Sequence, residues 1–176
     1  EKGLTRYNFA AGVLHLVSAI SLLAILLQVK TQGYFPVTAD WMQGPPGFKP
    51  GDSVQGFVIQ PPQRVELFTI NLGGAVVAFL LLSAIFHFAI ISPFFKRRYF
   101  DGLAQNHNYF RWTEYSLSSS IMIISIMLLN GFTDYAGLIA VFAVNASMIL
   151  FGALQEKYET PGNKKGLPFI MGCMTC

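Results

Sequence analysis

Charge is scarce in this chain. Only 12% of its 176 residues are Asp, Glu, Lys or Arg, against about 25% in an ordinary soluble domain. That shortage, with 53% hydrophobic residues and a mean hydropathy of +0.48, argues against a soluble globular domain and for an integral membrane protein. The net charge of +3 is small, and the bases are scattered. No basic stripe is interleaved with aromatics, so a nucleic-acid partner is not expected. Cysteine is equally sparse, with Cys173 and Cys176 in a terminal CMTC. CxxC can serve metal or redox chemistry, but neither a second CxxC nor a nearby histidine completes a site, and helix-lining thiols are the plainer reading. The first apolar run is not expected to be a signal-peptide core: it is too long, and no small-residue cleavage site follows it. No internal repeat is evident.

Long apolar runs are abundant. Four reach the roughly 20 residues that a helix needs to cross a bilayer: 8–29, 65–94, 108–129 and 135–154. The second is longer than needed and is expected to tilt or to extend past the membrane. A fifth run opens at 167 and stops at 176, so the chain reads as one membrane domain, 1–176, cut within helix five of a longer bundle. The expected fold is an all-α transmembrane bundle. Lys2 and Arg6, the Lys96–Arg97–Arg98 loop, and Lys157, Lys164 and Lys165 fall on one side; Lys30, Lys49 and Arg64 are spread thinly over the other. The positive-inside rule then places the N-terminus in the cytoplasm. The 31–64 connection is too long to be idle. GYFPVTADW and SVQGFVIQ, rich in β-branched and aromatic residues, flank the Pro/Gly-rich MQGPPGFKPGD. An extracellular β-hairpin between helices one and two is expected, with Pro36 weakening its first strand; an irregular lid is the alternative.

Ionisable residues inside spans are costly and usually face a bundle interior. His15, His87 and Glu114 lie well inside three consecutive spans. At about 1.5 Å per residue, each sits roughly 9–11 Å from the same membrane face. Ser83 precedes His87, and Ser118 follows Glu114, by one helical turn, so Ser118 and, across the bundle, Ser83 are candidate donors to Glu114. A buried carboxylate without such partners is driven toward its neutral form. Serines in membrane helices also serve close packing, which suffices for Ser116 and Ser120. Ala136, Ala140, Ala143 and Ser147 follow helical spacing and read as a packing stripe. Asn145 needs buried partners for its amide. Met122, Met127 and Met148 are adaptable fillers that fit a core as well as a ligand pocket. None of the seven lysines lies inside a span, so a lysine partner for Glu114 would come from helices outside this sequence.

RYNFAAGVLHL, SAIFHF, RWTEYSLSSSIM and NASMILFG resemble the first four helices of heliorhodopsins, and the resemblance covers essentially the whole chain. It implies a seven-helix retinal protein with a cytoplasmic N-terminus in the cell membrane, a photoreceptor and not an enzyme. It implies that Glu114 is the counterion of a protonated retinal Schiff base. His15, Ser83, His87 and Ser118 would form the polar cavity beside it, and Ser119, Met122, Asn145 and Met148 would line the retinal. The cofactor implied is all-trans retinal, held covalently by a helix-seven lysine that this chain lacks. A homodimer through the helices and the 31–64 loop is implied as well, in contact with membrane lipid, with slow light-triggered signalling to an unnamed partner. Light-gated or light-driven proton movement through the His15–His87–Glu114 cavity, and a non-photoactive dimeric scaffold, are the competing functions.

Overall fold

A computed structural model describes residues 2–29, 33–45, 47–158 and 166–175. Lys30, Thr31, Lys164, Lys165 and Cys176, which enter the readings above, lie outside them. The elements run α1 (Lys2–Gln28), β1 (Tyr34–Gln43), β2 (Ser53–Val54), β3 (Phe57–Val58), β4 (Gln60–Asn71), α2 (Leu72–Ile91), α3 (Lys96–Ala104), α4 (Tyr109–Leu129), α5 (Tyr135–Tyr158) and α6 (Leu167–Met174). Among the described residues, α1, α2, α4 and α5 are long and apolar enough to cross a membrane. Each packs on the next in that order, and α6 packs on α5.

Polar caps mark where these helices begin. Asn71 accepts from Gly74 N at 2.7 Å at the start of α2, and Asn108 accepts from Arg111 N at 3.2 Å at the start of α4. Asp134 accepts from Gly137 N at 2.8 Å at the start of α5. Each satisfies a backbone N–H that the first helical turn leaves without a partner. At the other end of α4, Gly131 N bonds Leu128 O and Phe132 N bonds Met127 O, both at 3.0 Å, the paired closure of a Schellman stop.

The span expected at 65–94 divides. Residues 65–71 belong to β4, and the helix occupies only Leu72–Ile91. Val65, Leu67, Phe68 and Ile70 are apolar, so averaged hydropathy stays high into α2 despite Glu66 and Asn71; pairing with β1 and the Asn71 cap draw the boundary instead. This accounts for the excess length. α1 starts earlier than residue 8, and α5 runs past 154 to Tyr158. The KRR loop is helical as α3, a nine-residue element in which Tyr99, Phe100 and Leu103 recur at helical spacing.

The hairpin is present, with a different return strand. β1 pairs antiparallel with β4, from Tyr34↔Asn71 to Gln43↔Gln60, while residues 53–58 form a separate miniature hairpin at the tip. Pro36 is tolerated because β1 is paired on one side only, so its missing N–H breaks no second ladder. A register shift after Val37 allows Val37, Thr38 and Ala39 to be buried in succession, which simple strand alternation forbids. Val37 packs with Leu128 and Leu138 into a buried cluster joined by Phe35, Ile70, Ile124 and Met127. Thr38 N donates to Thr133 O at 2.8 Å, and the two threonine hydroxyls lie 3.1 Å apart. The ribbon is thereby fastened to the α4–α5 turn.

Candidate functional site

Gly12 sets the distance between the first two helices. A Cβ there would meet the Phe88 ring at 3.1 Å and His87 Cβ at 3.2 Å; with hydrogen in its place the helices approach closely. One turn on, the imidazoles of His15 and His87 stack, centroids 5.6 Å apart and planes within 10°. His87 is held from below as well. Asn8 Nδ2 donates to Leu4 O at 3.0 Å, leaving Asn8 Oδ1 to accept from His87 Nδ1 at 3.0 Å. With its proton on Nδ1, a neutral His87 keeps Nε2 as an acceptor.

Glu114 faces this pair from α4. Ser83 Oγ donates to Glu114 Oε1 at 2.5 Å, within the short range of hydroxyl–carboxylate bonds. Among the described residues Ser83 is its sole hydrogen-bond donor: Ser118 is buried and lines the same cavity but does not bond Glu114. The expected convergence of α1, α2 and α4 on one level is therefore found, with the donor coming from across the bundle and not from the next turn.

These groups line a cavity of about 370 Å³ bounded by His15, Phe79, Ser83, His87, Glu114, Tyr115, Ser118, Ser119 and Met122. Its polar residues gather at the Glu114–His87 level. Phe79 and Met122 lie eight residues from His87 and Glu114 along their helices, about 12 Å away, and both are displaced toward the ribbon end. The cavity is therefore a slot with a polar end, at Glu114 and His87, and an apolar end, at Phe79 and Met122. Asn145 stands behind its wall, donating to Ser119 Oγ at 2.8 Å and Ser120 Oγ at 3.0 Å, so its amide has the partners it requires. Ser120, expected only to pack, is fully buried and also donates to Ser116 O at 2.6 Å.

Met148 is not brought to this slot. It lines a separate cavity of about 410 Å³ between α4, α5 and α6, with Trp112, Gly152, Phe169, Gly172 and others. The Ala136, Ala140, Ala143 and Ser147 stripe is exposed, and α5 instead packs through Leu138, Phe142 and Asn145. Asn8, Phe79 and Tyr115 were not singled out from the sequence. Asn8 lies seven residues before His15, on the same helix face, which is the spacing that could have identified it.

A cavity with an apolar end and a carboxylate at the other fits retinal: Phe79, Tyr115 and Met122 would wall a polyene, and Glu114 would face the positive charge of its linkage. No curated protein matches the chain. The heliorhodopsin family model matches residues 4–176. With the membrane-spanning helices and the β-ribbon, that match shows that the chain belongs to the heliorhodopsin family of retinal-binding, photoreceptor-type membrane proteins.

Proposed function

We propose that this chain senses light, with Glu114 as the counter-charge that sets the resting state of the chromophore. The observation that carries the reading is the Glu114 carboxylate, bonded by Ser83 at 2.5 Å, at the polar end of a cavity whose other end is lined by Phe79 and Met122. When bound, all-trans retinal would supply a light-driven double-bond isomerisation and, through a protonated linkage to a lysine, a positive charge inside the membrane. Glu114 balances that charge, since an ion pair is far less costly in the membrane than either ion alone. Ser83 keeps one carboxylate oxygen oriented. His87, its Nδ1 engaged by Asn8, offers Nε2 to a displaced proton, and the stacked His15 ring holds it in place. Phe79, Tyr115, Ser119 and Met122 would contact the polyene, with Asn145 fixing Ser119.

The test is Glu114→Gln in the retinal-bound protein. Loss of the negative charge makes the positive linkage shed its proton at lower pH, so absorbance moves from the visible toward the near-ultraviolet. An unchanged visible band and titration would remove Glu114 from this role. The His15–His87 pair cannot substitute, because histidine carries no negative charge in this range.

Proton movement has one observation in its favour. A second cavity of about 170 Å³, lined by Asn8, His87, Asn108, Arg111 and Glu114 among others, adjoins the first toward the N-terminal end of α4. Toward the ribbon, the next cavity is walled by Val37, Leu67, Phe68, Ile70, Ile124 and other apolar side chains, a poor path for protons. Sensing is therefore preferred; a light-induced current across a planar bilayer would reverse that preference.

A further inference from the structure

α2 ends at Ile91, Ser92 and Pro93 turn the chain, and α3 begins at Lys96. Phe94, in that turn, is 89% exposed, more than any other large hydrophobic residue among those described. Three bases follow it: Lys96, Arg97 and Arg98. The corner is pinned in place. Tyr99 is buried, edge-on to Phe100 and Phe110 at centroid distances of 5.4 and 6.0 Å, and Phe95 meets Phe110 at 5.7 Å. Aromatic packing thus turns one side of α3 toward the start of α4 and leaves the bases outside. Arg97 is 93% exposed, and its carboxylate neighbour Asp101 lies 3.8 Å away, a pair of little strength in water. Lys96 and Arg98 form no ion pair among the described residues.

A bare aromatic ring beside exposed, at most weakly paired cations, where a transmembrane helix leaves the bilayer, matches the layered chemistry of the lipid interface. Aromatic rings settle at the headgroup boundary, and juxtamembrane bases meet anionic headgroups just outside it. We propose that the 92–104 corner binds an anionic phospholipid, with Phe94 among the upper acyl chains and Arg97 and Arg98 on the headgroup phosphate. Lipid is the occupant and not free phosphate, because Phe94 offers nothing to a soluble anion. Phe110 lies one helical turn before Glu114, so the aromatic cluster also joins this lipid contact to the helix that carries the carboxylate.

The test counts lipids retained by the solubilised protein after exposure to equimolar phosphatidylglycerol and phosphatidylcholine, read by native mass spectrometry. The wild type should retain phosphatidylglycerol preferentially. Arg97→Gln with Arg98→Gln should reduce that retention on the order of twenty-five-fold, at about fivefold per base, and leave phosphatidylcholine unaffected. Both side chains are exposed, and circular dichroism checks the fold; if the double variant is unstable, Arg97→Gln alone should give about a fivefold loss. Phe94→Ser should weaken retention of both lipids while sparing the preference between them. Equal retention of the two lipids by the wild type, a preference that survives in the double variant, or complete displacement by inorganic phosphate would each overturn the proposal.

Discussion

A hydrogen bond to an ionised carboxylate is worth about 1.5–3 kcal/mol, whereas neutral interhelical bonds in membranes average about 0.6 kcal/mol. Ser83 and Glu114 distinguish these cases. In the retinal-bound protein, where Glu114 is proposed to be charged, Ser83→Ala should cost about 2 kcal/mol. Without retinal the cost should fall toward about 0.6 kcal/mol. Unfolding in sodium dodecyl sulfate with and without the chromophore measures both, and equal costs would mean that the charge state of Glu114 does not depend on retinal. Sequence spacing makes both Ser118 and, across the bundle, Ser83 candidate donors. The choice between them is a matter of interhelical distance, which only the packing of α2 on α4 decides.

Among elements, the ribbon combines a buried root and an exposed shaft. Its root is the Val37–Leu128–Leu138 cluster with the Thr38–Thr133 contacts. Farther out, Arg64 makes a two-pronged bond to Asp40 at 2.9 and 3.1 Å, directly opposite it in register. The guanidinium holds the Asp40 carboxyl below its ordinary value of 3.8. A lowered carboxyl value means that the pair's contribution is fully present above that ordinary value and is lost as pH falls through the folded-state value. Amide exchange at Ala39 and Val65, corrected for intrinsic rate, should therefore be level from neutral pH down to about 5 and increase only in stronger acid. Asp40→Asn should remove the step. The pair is exposed, so the effect should be confined to the ribbon, with no change in the bundle.

At the scale of the whole molecule, orientation and assembly are proposals with separate supports. α1 and α5 place Lys2, Arg6 and Lys157 at the end of the bundle that carries α3 and its bases, and the ribbon lies at the opposite end. The positive-inside rule then puts the ribbon outside the cell. A cleavable tag at the N-terminus should survive an impermeant protease applied to intact cells, whereas a cleavage site inserted at the ribbon tip should be cut. The ribbon also leaves Trp41, Met42, Phe57, Val58 and Phe68 exposed, an apolar surface of the kind that associates. Deleting residues 34–60 should convert a dimer to monomers by light scattering; a persistent dimer would assign the interface to the helices alone.

The membrane class, the existence of four spans, the shared level of His15, His87 and Glu114, and the presence of a ribbon were legible in the order of residues, because each follows from local quantities: hydropathy over about 20 residues, rise per residue and side-chain shape. What lay beyond it depends on partners distant in the chain. The 65–71 stretch is a strand because β1 lies beside it; its own hydropathy reads as helix. Asn8 belongs to the site because Gly12 lets α2 approach and present His87 Nδ1 to it. Met148 lines a cavity between α4, α5 and α6, and not the Glu114 slot, because of where α6 packs on α5. In each case the deciding energy lies in a contact between elements, and such contacts exist only once the chain has folded.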